Sequence, residues 1–426
     1  IDPEKTKSQI QLHARHQFTD GTVYHWWHPI IEEGLRNQIS DNLLWLPYVV
    51  GAYLEETNDD AVLDAAEPFV DERKPATLYE HCGKAIDKVL ARFSSRGLPL
   101  IGAGDWNDGL SAVGLDMKGE SIWLGHFLYG ILLDFSSIAV RKKDFERAQR
   151  YSRRADELKE KLNTLGWDGK YYYGATKDNG ERIGSSANVE GTVWLNPQTW
   201  AVIAGASDLG RSKQVMDVVE EKLEKEIGPL LLYPSYTTPD KDIGYLTRYA
   251  PGMRENGGVY THASTWAVIA EAMLGRGDVA YRFYSKLNPI LRGMKPDTYY
   301  AEPYVTAGNI EGPDSAFYGR GGWTWYSGSA AWLFKVGFEW ILGIRATRDG
   351  LLIDPCIPSK WSGFKARRIF RGAVYSIDVK NPNHVQCGVK ELSVDGVQHT
   401  IASAPREKVV PPFEKGTKHN VVAILG

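Results

Sequence analysis

Up to about residue 345 the chain alternates helix-length stretches with long loops rich in Gly, Asp, Asn and aromatic residues, and few strand patterns interrupt it. Apolar spacing predicts helices over 4–16, 42–56, 78–94, 121–139, 141–162, 194–206, 210–226, from near His262, and over 277–287 and 329–342. Residues 168–192 read as an irregular loop or short hairpin, while 228–260 and 288–326 read as long loops. Loops this long inside a compact domain usually carry function. The pattern suits helix pairs arranged around an axis, with functional loops at one end. From about 350 the character changes: LLIDPCIP, RRIFRGAVYSIDVK, KELSVDG and HNVVAILG read as short β segments and predict a small all-β domain. The expected division is 1–345 and 346–426.

Local signals sharpen several elements. Ser40-Asp41 can cap the 42–56 helix despite its internal Pro47. Thr77 and Glu80 have capping-box spacing, and the helix behind them places Leu78, Cys82, Ile86, Val89, Leu90 and Phe93 on one face. The Lys and Arg residues of 141–162 read as a solvated helix face.

The totals exclude several classes. A net charge of −3 gives no basic field for nucleic acid or anionic membrane. Three cysteines, Cys82, Cys356 and Cys387, are far apart and odd in number, which argues against a disulfide framework and a zinc site and favours a reducing, cytoplasmic setting. No run of about 18 apolar residues stands out as a transmembrane helix, and no signal peptide is visible. The chain opens IDPEKTKSQIQ, without Met, and is expected to be a truncation. Fourteen Trp and 22 Tyr are many for this length, and in HWWHP and GGWTWYSG they sit beside Gly, Ser and His. That mixture suits a carbohydrate cleft, where rings stack on sugars and polar groups bind hydroxyls.

The richest stretch is IGAGDWNDGL, residues 101–110. Glycines frame Asp105 and Asp108, with Trp106 and Asn107 between them. Two acids sharing a poorly hydrated pocket drive one pKa upward, and a carboxyl that stays protonated near neutral pH can act as a general acid. An Asx-rich surface turn is the plain alternative. Further on, Ser327-Gly328-Ser329 opens an apolar helix, whose free N–H groups can bind an oxyanion. A simple Ser N-cap is the alternative there. His262 also starts a helix. Arg254 and Glu255 precede the Asn256-Gly257-Gly258 turn and can reach a polar ligand or pair with each other at the surface. His16, His25 and His28 invite a metal reading but lack an acidic or Cys partner at ligand spacing, so no metal is expected. Trp26, Trp27 and His28 are expected in a pocket wall or the core.

These segments together resemble a known family. GDWNDG, MRENGGVYTHASTW, EPYV and RGGWTWYSGSAAW, in this order over about residues 16–385, are similar to glycoside hydrolase family 94, the inverting disaccharide and oligosaccharide phosphorylases. HQFTDG, HWWHP, SDNLLWLPY, TLYEHC, GESIWLG and DPCIP look closest to the phosphorylase domain of cyclic β-1,2-glucan synthases and to 1,2-β-oligoglucan phosphorylases. The resemblance implies an (α/α)6 barrel followed by a C-terminal β-sandwich of jelly-roll type. It implies Asp108 as general acid, Trp106, Arg254 and Glu255 as sugar contacts, and His262, Ser327 and Gly328 at a phosphate site.

The same resemblance implies phosphorolysis of β-linked gluco-oligosaccharides to α-glucose 1-phosphate, with inorganic phosphate as co-substrate and no cofactor. Family phosphorylases are often dimers. Two departures stand out. The upstream Arg-Asp-x-x-Gln-Asp segment, which contributes sugar-binding residues, and a further phosphate-contacting arginine do not occur in this chain, and the N-terminal part of the same protein is therefore an expected partner. Gly308 also stands where cellobiose-type members often carry Gln. The alternatives are a cellobiose-, laminaribiose- or chitobiose-type phosphorylase, an inverting hydrolase on the same barrel, or a non-catalytic carbohydrate-binding remnant.

Overall fold

The computed structural model describes residues 2–325, 327–399 and 408–426, with Ser327 described through its backbone alone. Its helices in chain order are α1 (Pro3–Arg15), α2 (Trp45–Thr57), α3 (Leu78–Leu90), α4 (Ile122–Arg141), α5 (Phe145–Thr164), α6 (Leu195–Ile203), α7 (Leu209–Val218), α8 (Thr261–Met273), α9 (Gly277–Leu287), the short α10 (Pro289–Gly293) and α11 (Pro296–Tyr299), and α12 (Ser327–Lys335). Two kinds of helix alternate. α1, α3, α5, α7 and α9 carry one apolar stripe and a polar outer face. α4, α6 and α8 are buried along most of their length, as helices apolar all round must be. The buried helices pack in series, α4 on α6, α6 on α8 and α8 on α12, while the striped ones cover them, α5 on α4 and α9 on α8. α2 and α12 end this arc and are apolar but only partly covered. Between them lies a cavity of about 540 Å3 lined by Val49, Ala52, Tyr53, Phe334 and Phe338.

Several expected boundaries move for identifiable reasons. The charged helix does not begin at 141: α4 runs on to Arg141, Lys143 turns left-handed at φ 60, and the Asp144 side chain caps α5. Asp41 makes no side-chain cap hydrogen bond to α2, because its carboxylate accepts from Trp45 Nε1. Pro47 lies in the first turn of α2, where a helix tolerates a missing N–H. The Thr77–Glu80 capping box is present. The 210–226 helix ends earlier, in a π turn over Val219–Leu223 followed by a short strand. α4 is long and apolar enough to cross a membrane by composition alone, contrary to the reading of the sequence, but 72% of that stretch is buried inside the protein.

Short β clips lead into three of the buried helices. Glu120–Ser121 pairs with Ala175–Thr176 before α4, Val193–Trp194 with Leu232–Tyr233 before α6, and Val259–Tyr260 with Asn309–Ile310 before α8. A bridge between Ile39 and Gly102 brings the 101–110 loop to the entry of α2. The long loops therefore gather at the N-terminal ends of the buried helices. A separate apolar cluster supports them, including Ile101, Leu110, Trp194, Leu232, Tyr236 and Leu246.

The C-terminal part holds two sheets. One orders Gly363–Phe370, Ala373–Lys380, Lys418–Leu425, Val389–Val394 and Val397–His399, with the second and third parallel and the other pairs antiparallel. The other joins Ile344–Thr347, Gly350–Ile353 and Val409–Val410. Its core is continuous with that of the helices. Arg371 reaches across to donate to the carbonyls of Glu55 and Glu56 as well as Thr347 and Arg348, and Arg368 pairs with Glu56. Cys356 and Cys387 oppose each other across an isolated antiparallel bridge, so two of the cysteines distant in sequence are neighbours. All three thiols are free, and burial raises the pKa of each.

Candidate active site

The 101–110 loop is built by its own polar side chains. Asp105 accepts from the Asn107 N–H at 2.9 Å and the Ser121 hydroxyl at 2.6 Å, and Asn107 Oδ1 accepts from the Gly109 N–H. Ser40 donates both its N–H and its hydroxyl to the Gly104 carbonyl. Gly102 takes a left-handed φ of 61° where a Cβ would strike the Gln38 carbonyl, so the turn requires glycine. The two acids thus receive different roles. Asp105 is buried, holds the loop, and is pushed up to about 6 by burial. Asp108 projects from the loop with a side chain 61% exposed, and His25 Nε2 lies 3.8 Å from its Oδ2. Partial burial raises its carboxyl, while His25 and Arg254 pull it back down.

A third acid stands behind these. Asp41, fully buried, accepts from Trp45 Nε1 and leaves Oδ1 without a hydrogen bond. Burial, with the charges of Asp105 and Asp108 beside it, pushes it up to about 7. Beyond its place before a helix, nothing in the sequence signals this.

Arg254 and Glu255 are not a bland surface pair. Glu255 is buried, and its Oε2 lies 3.4 Å from Arg254 Nε without hydrogen-bond geometry. The Arg254 guanidinium is sandwiched over Trp323 at 3.5 Å and Tyr249 at 4.4 Å, which fixes its direction. Burial raises the Glu255 carboxyl, Arg254 lowers it, and Asp108 raises it again, so Asp108, Arg254 and Glu255 sense one another. Asn256 holds this turn in place: its amide accepts from the Tyr236 N–H and donates to the carbonyls of Tyr236 and Tyr249.

Trp106 is half-buried against Tyr260, His262 and Trp266, with ring centroids 5.2, 5.4 and 5.1 Å away. His262 starts α8, packs on Trp332 of α12 at 5.3 Å, and keeps Nε2 without a hydrogen bond. Burial pushes it down to about 3, so it is neutral. The first turn of α8 thereby meets the second turn of α12. The Ser327 side chain lies outside the described residues, while a Cβ at Gly328 would meet nothing within 4 Å. The structure thus joins Asp108 to Arg254 and Glu255 through charge, and Trp106 to His262 through ring packing.

The three histidines of the HWWHP region separate. His16 stacks on Trp27 and reaches Glu32 at 2.7 Å, while His28 sits against Trp26 on an exposed strand. Trp26 and His28 are therefore surface residues, and Trp27 alone of the three lines a cavity, of about 300 Å3, together with His13, His25 and Trp45. Among the described residues no group of three His, Cys, Asp or Glu is placed to hold a metal ion.

Comparison with known proteins places this geometry. Residues 1–343 match the model of the glycosyl hydrolase 94 superfamily, catalytic domain. The chain is 40% identical over 400 residues to the cyclic beta-(1,2)-glucan synthase NdvB of Rhizobium meliloti, covering 88% of this chain and 14% of that protein. It is 35% identical over 420 residues to the solabiose phosphorylase of Paenibacillus borealis, covering 98% of this chain and 53% of that protein. The chain thus spans about half of the second relative and about a seventh of the first. In fold it is similar to a GH63 mannosylglycerate hydrolase from Thermus thermophilus, with a TM-score of 0.51 at 16% identity over 79% of this chain and 89% of that one. The chain belongs to the glycosyl hydrolase 94 superfamily, through its catalytic domain.

Proposed function

We propose that this chain is the catalytic part of an inverting glycoside phosphorylase, which cleaves β-linked gluco-oligosaccharides, β-1,2-linked ones foremost, with inorganic phosphate. The observation that carries this reading is the unequal use of the two acids in GDWND. Asp105 is tied up inside the loop, and Asp108 is left as a solvent-reachable carboxyl with a raised pKa, beside His25 and Arg254. Asp108 gives its proton to the glycosidic oxygen as the bond to the anomeric carbon breaks. A phosphate oxygen bonds that carbon from the opposite face, giving α-glucose 1-phosphate, and the phosphate's proton restores Asp108. An inverting hydrolase needs a second carboxyl to activate water, but phosphate arrives as a nucleophile.

Arg254, Glu255 and Trp106 offer an ion pair and a ring edge to the sugar. His262, Ser327 and Gly328 take the phosphate: a neutral His262 donates one N–H, and the N–H groups at the start of α12 favour an anion. The site asks for no cofactor beyond phosphate. The cyclic β-1,2-glucan synthase, at 40% identity, supports the β-1,2 linkage, and the N,N'-diacetylchitobiose phosphorylases of Vibrio, at 36%, keep the chitobiose type as the alternative. We read the helices as part of an (α/α)6 ring closed between α2 and α12, where Phe334 is 57% exposed, and residues 346–426 as a β-sandwich domain. The N-terminal part of the same protein and a second copy are the proposed partners, and the free thiols suit the cytoplasm.

Glu255 supports the second reading, an inverting hydrolase, because it is a further buried carboxyl that senses the charge of Asp108. The test is incubation with β-1,2-oligoglucosides with and without phosphate. Phosphate-dependent glucose 1-phosphate supports phosphorolysis. Glucose released equally without phosphate supports the hydrolase.

A further inference from the structure

His25 belongs to neither the proposed acid nor the proposed phosphate site, yet its geometry is tightly specified. Its N–H donates to the Leu35 carbonyl at 2.8 Å, which fixes the backbone at the head of the Trp26–His28 strand. Its Nδ1 lies 3.1 Å from Asn42 Oδ1, and Asn42 Nδ2 in turn donates to Asn37 Oδ1 at 3.2 Å. Because Asn42 presents an acceptor, Nδ1 carries the proton, and Nε2 is the ring nitrogen left for another partner. That nitrogen is the one 3.8 Å from Asp108 Oδ2. Approaches of this length often tighten when substrate binds.

We propose that His25 is a positioning residue for Asp108: aimed by Asn37 and Asn42, its Nε2 edge holds Oδ2 and leaves Oδ1 for the substrate oxygen. The charges around the pair are few. Asp105 faces it from the loop, Asp41 from the entry of α2, and Tyr249, Arg254 and Glu255 from the 249–255 turn. Behind His25 stand His13 and the His16–Glu32 pair. Of these, His25 and Arg254 are the groups that lower the Asp108 carboxyl. A charged imidazole favours the carboxylate, so its removal must move Asp108 to a higher pKa.

The catalytic part of this inference rests on Asp108 being the general acid; the titration part does not. The direct test is a pH titration of 13C-labelled aspartate by NMR, with the Asp108 signal assigned by its loss in Asp108→Asn. In His25→Asn the Asp108 carboxyl midpoint is expected to rise by about one unit relative to wild type. Asn42→Leu, which frees the imidazole without removing it, should also raise the midpoint, by less. An Asp108 titration unchanged in His25→Asn overturns the proposal. In parallel, His25→Ala should lower kcat about tenfold with KM little changed and move the alkaline limb of the rate profile upward, and His25→Gln should recover part of the loss. A shifted titration with unchanged turnover would keep the pairing and overturn instead the reading of Asp108 as the acid.

Discussion

Two aspartates three residues apart look equivalent in a sequence and are not equivalent in the folded loop. Asp105 is surrounded by donors that organise the backbone, and Asp108 projects from the loop toward His25. Asp108→Asn should therefore lower turnover by about 100- to 10,000-fold while sugar binding, read by calorimetry, changes little. Asp105→Asn should instead cost stability, because the Ser121 hydroxyl and the Asn107 N–H lose a charged acceptor; a Tm unchanged from wild type would contradict its structural role. Asp41 adds a pH signature. Its folded pKa of about 7 lies above the ordinary value of 3.8, so the folded state holds a proton that the unfolded state has lost between those values. Stability from this group is present below the lower value and is lost as pH rises through the upper one. The Tm of Asp41→Asn relative to wild type should accordingly rise from pH 4 to pH 8, and a gap independent of pH would contradict the assignment.

At the scale of elements, what the sequence disclosed and what it hid divide along a physical line. Helical faces and the Thr77–Glu80 capping box were legible because they depend on neighbours three or four residues away. The break between α4 and α5 was read near residue 140, but its position was not legible, since Arg141, Lys142 and Lys143 are good helix formers and the left-handed turn at Lys143 sets where the two helices part. The acid loop could be found by its composition. The partners that give Asp108 its environment could not, because His25 and Arg254 lie far away in the chain. Asn256 is the clearest case: it read as a turn residue, and it ties both backbone groups of Tyr236 and the Tyr249 carbonyl to the Arg254 turn. Asn256→Ala should lower Tm by several degrees and raise KM for the sugar more than it lowers kcat. A change in kcat alone would contradict a loop-holding role.

At the scale of the molecule, one apolar core runs from the helices into the C-terminal sheets, and the β part is joined to α2 through arginines. Arg371 is the principal tie, with four backbone carbonyls on both sides of the junction. Arg371→Ala leaves these acceptors without a partner and should destabilise the protein by about 2–3 kcal/mol. Calorimetry should then resolve two transitions in place of one, whereas a single unshifted transition would show that the junction is held by apolar contact alone. The arrangement sets the long loops on one end of a rigid helical arc, so the acid, the arginine–glutamate pair and the helix N-termini are positioned by elements distant in sequence.

If Asp108 supplies the proton and phosphate the nucleophile, the two contributions can be separated by the choice of leaving group. The most direct test compares wild type with Asp108→Asn on two substrates in the presence of phosphate: a β-1,2-oligoglucoside, whose leaving oxygen needs a proton, and β-glucosyl fluoride, whose leaving fluoride needs none. The variant is expected to lose glucose 1-phosphate formation from the oligoglucoside and largely retain it from the fluoride. Equal loss on both substrates would contradict the assignment of Asp108 as general acid.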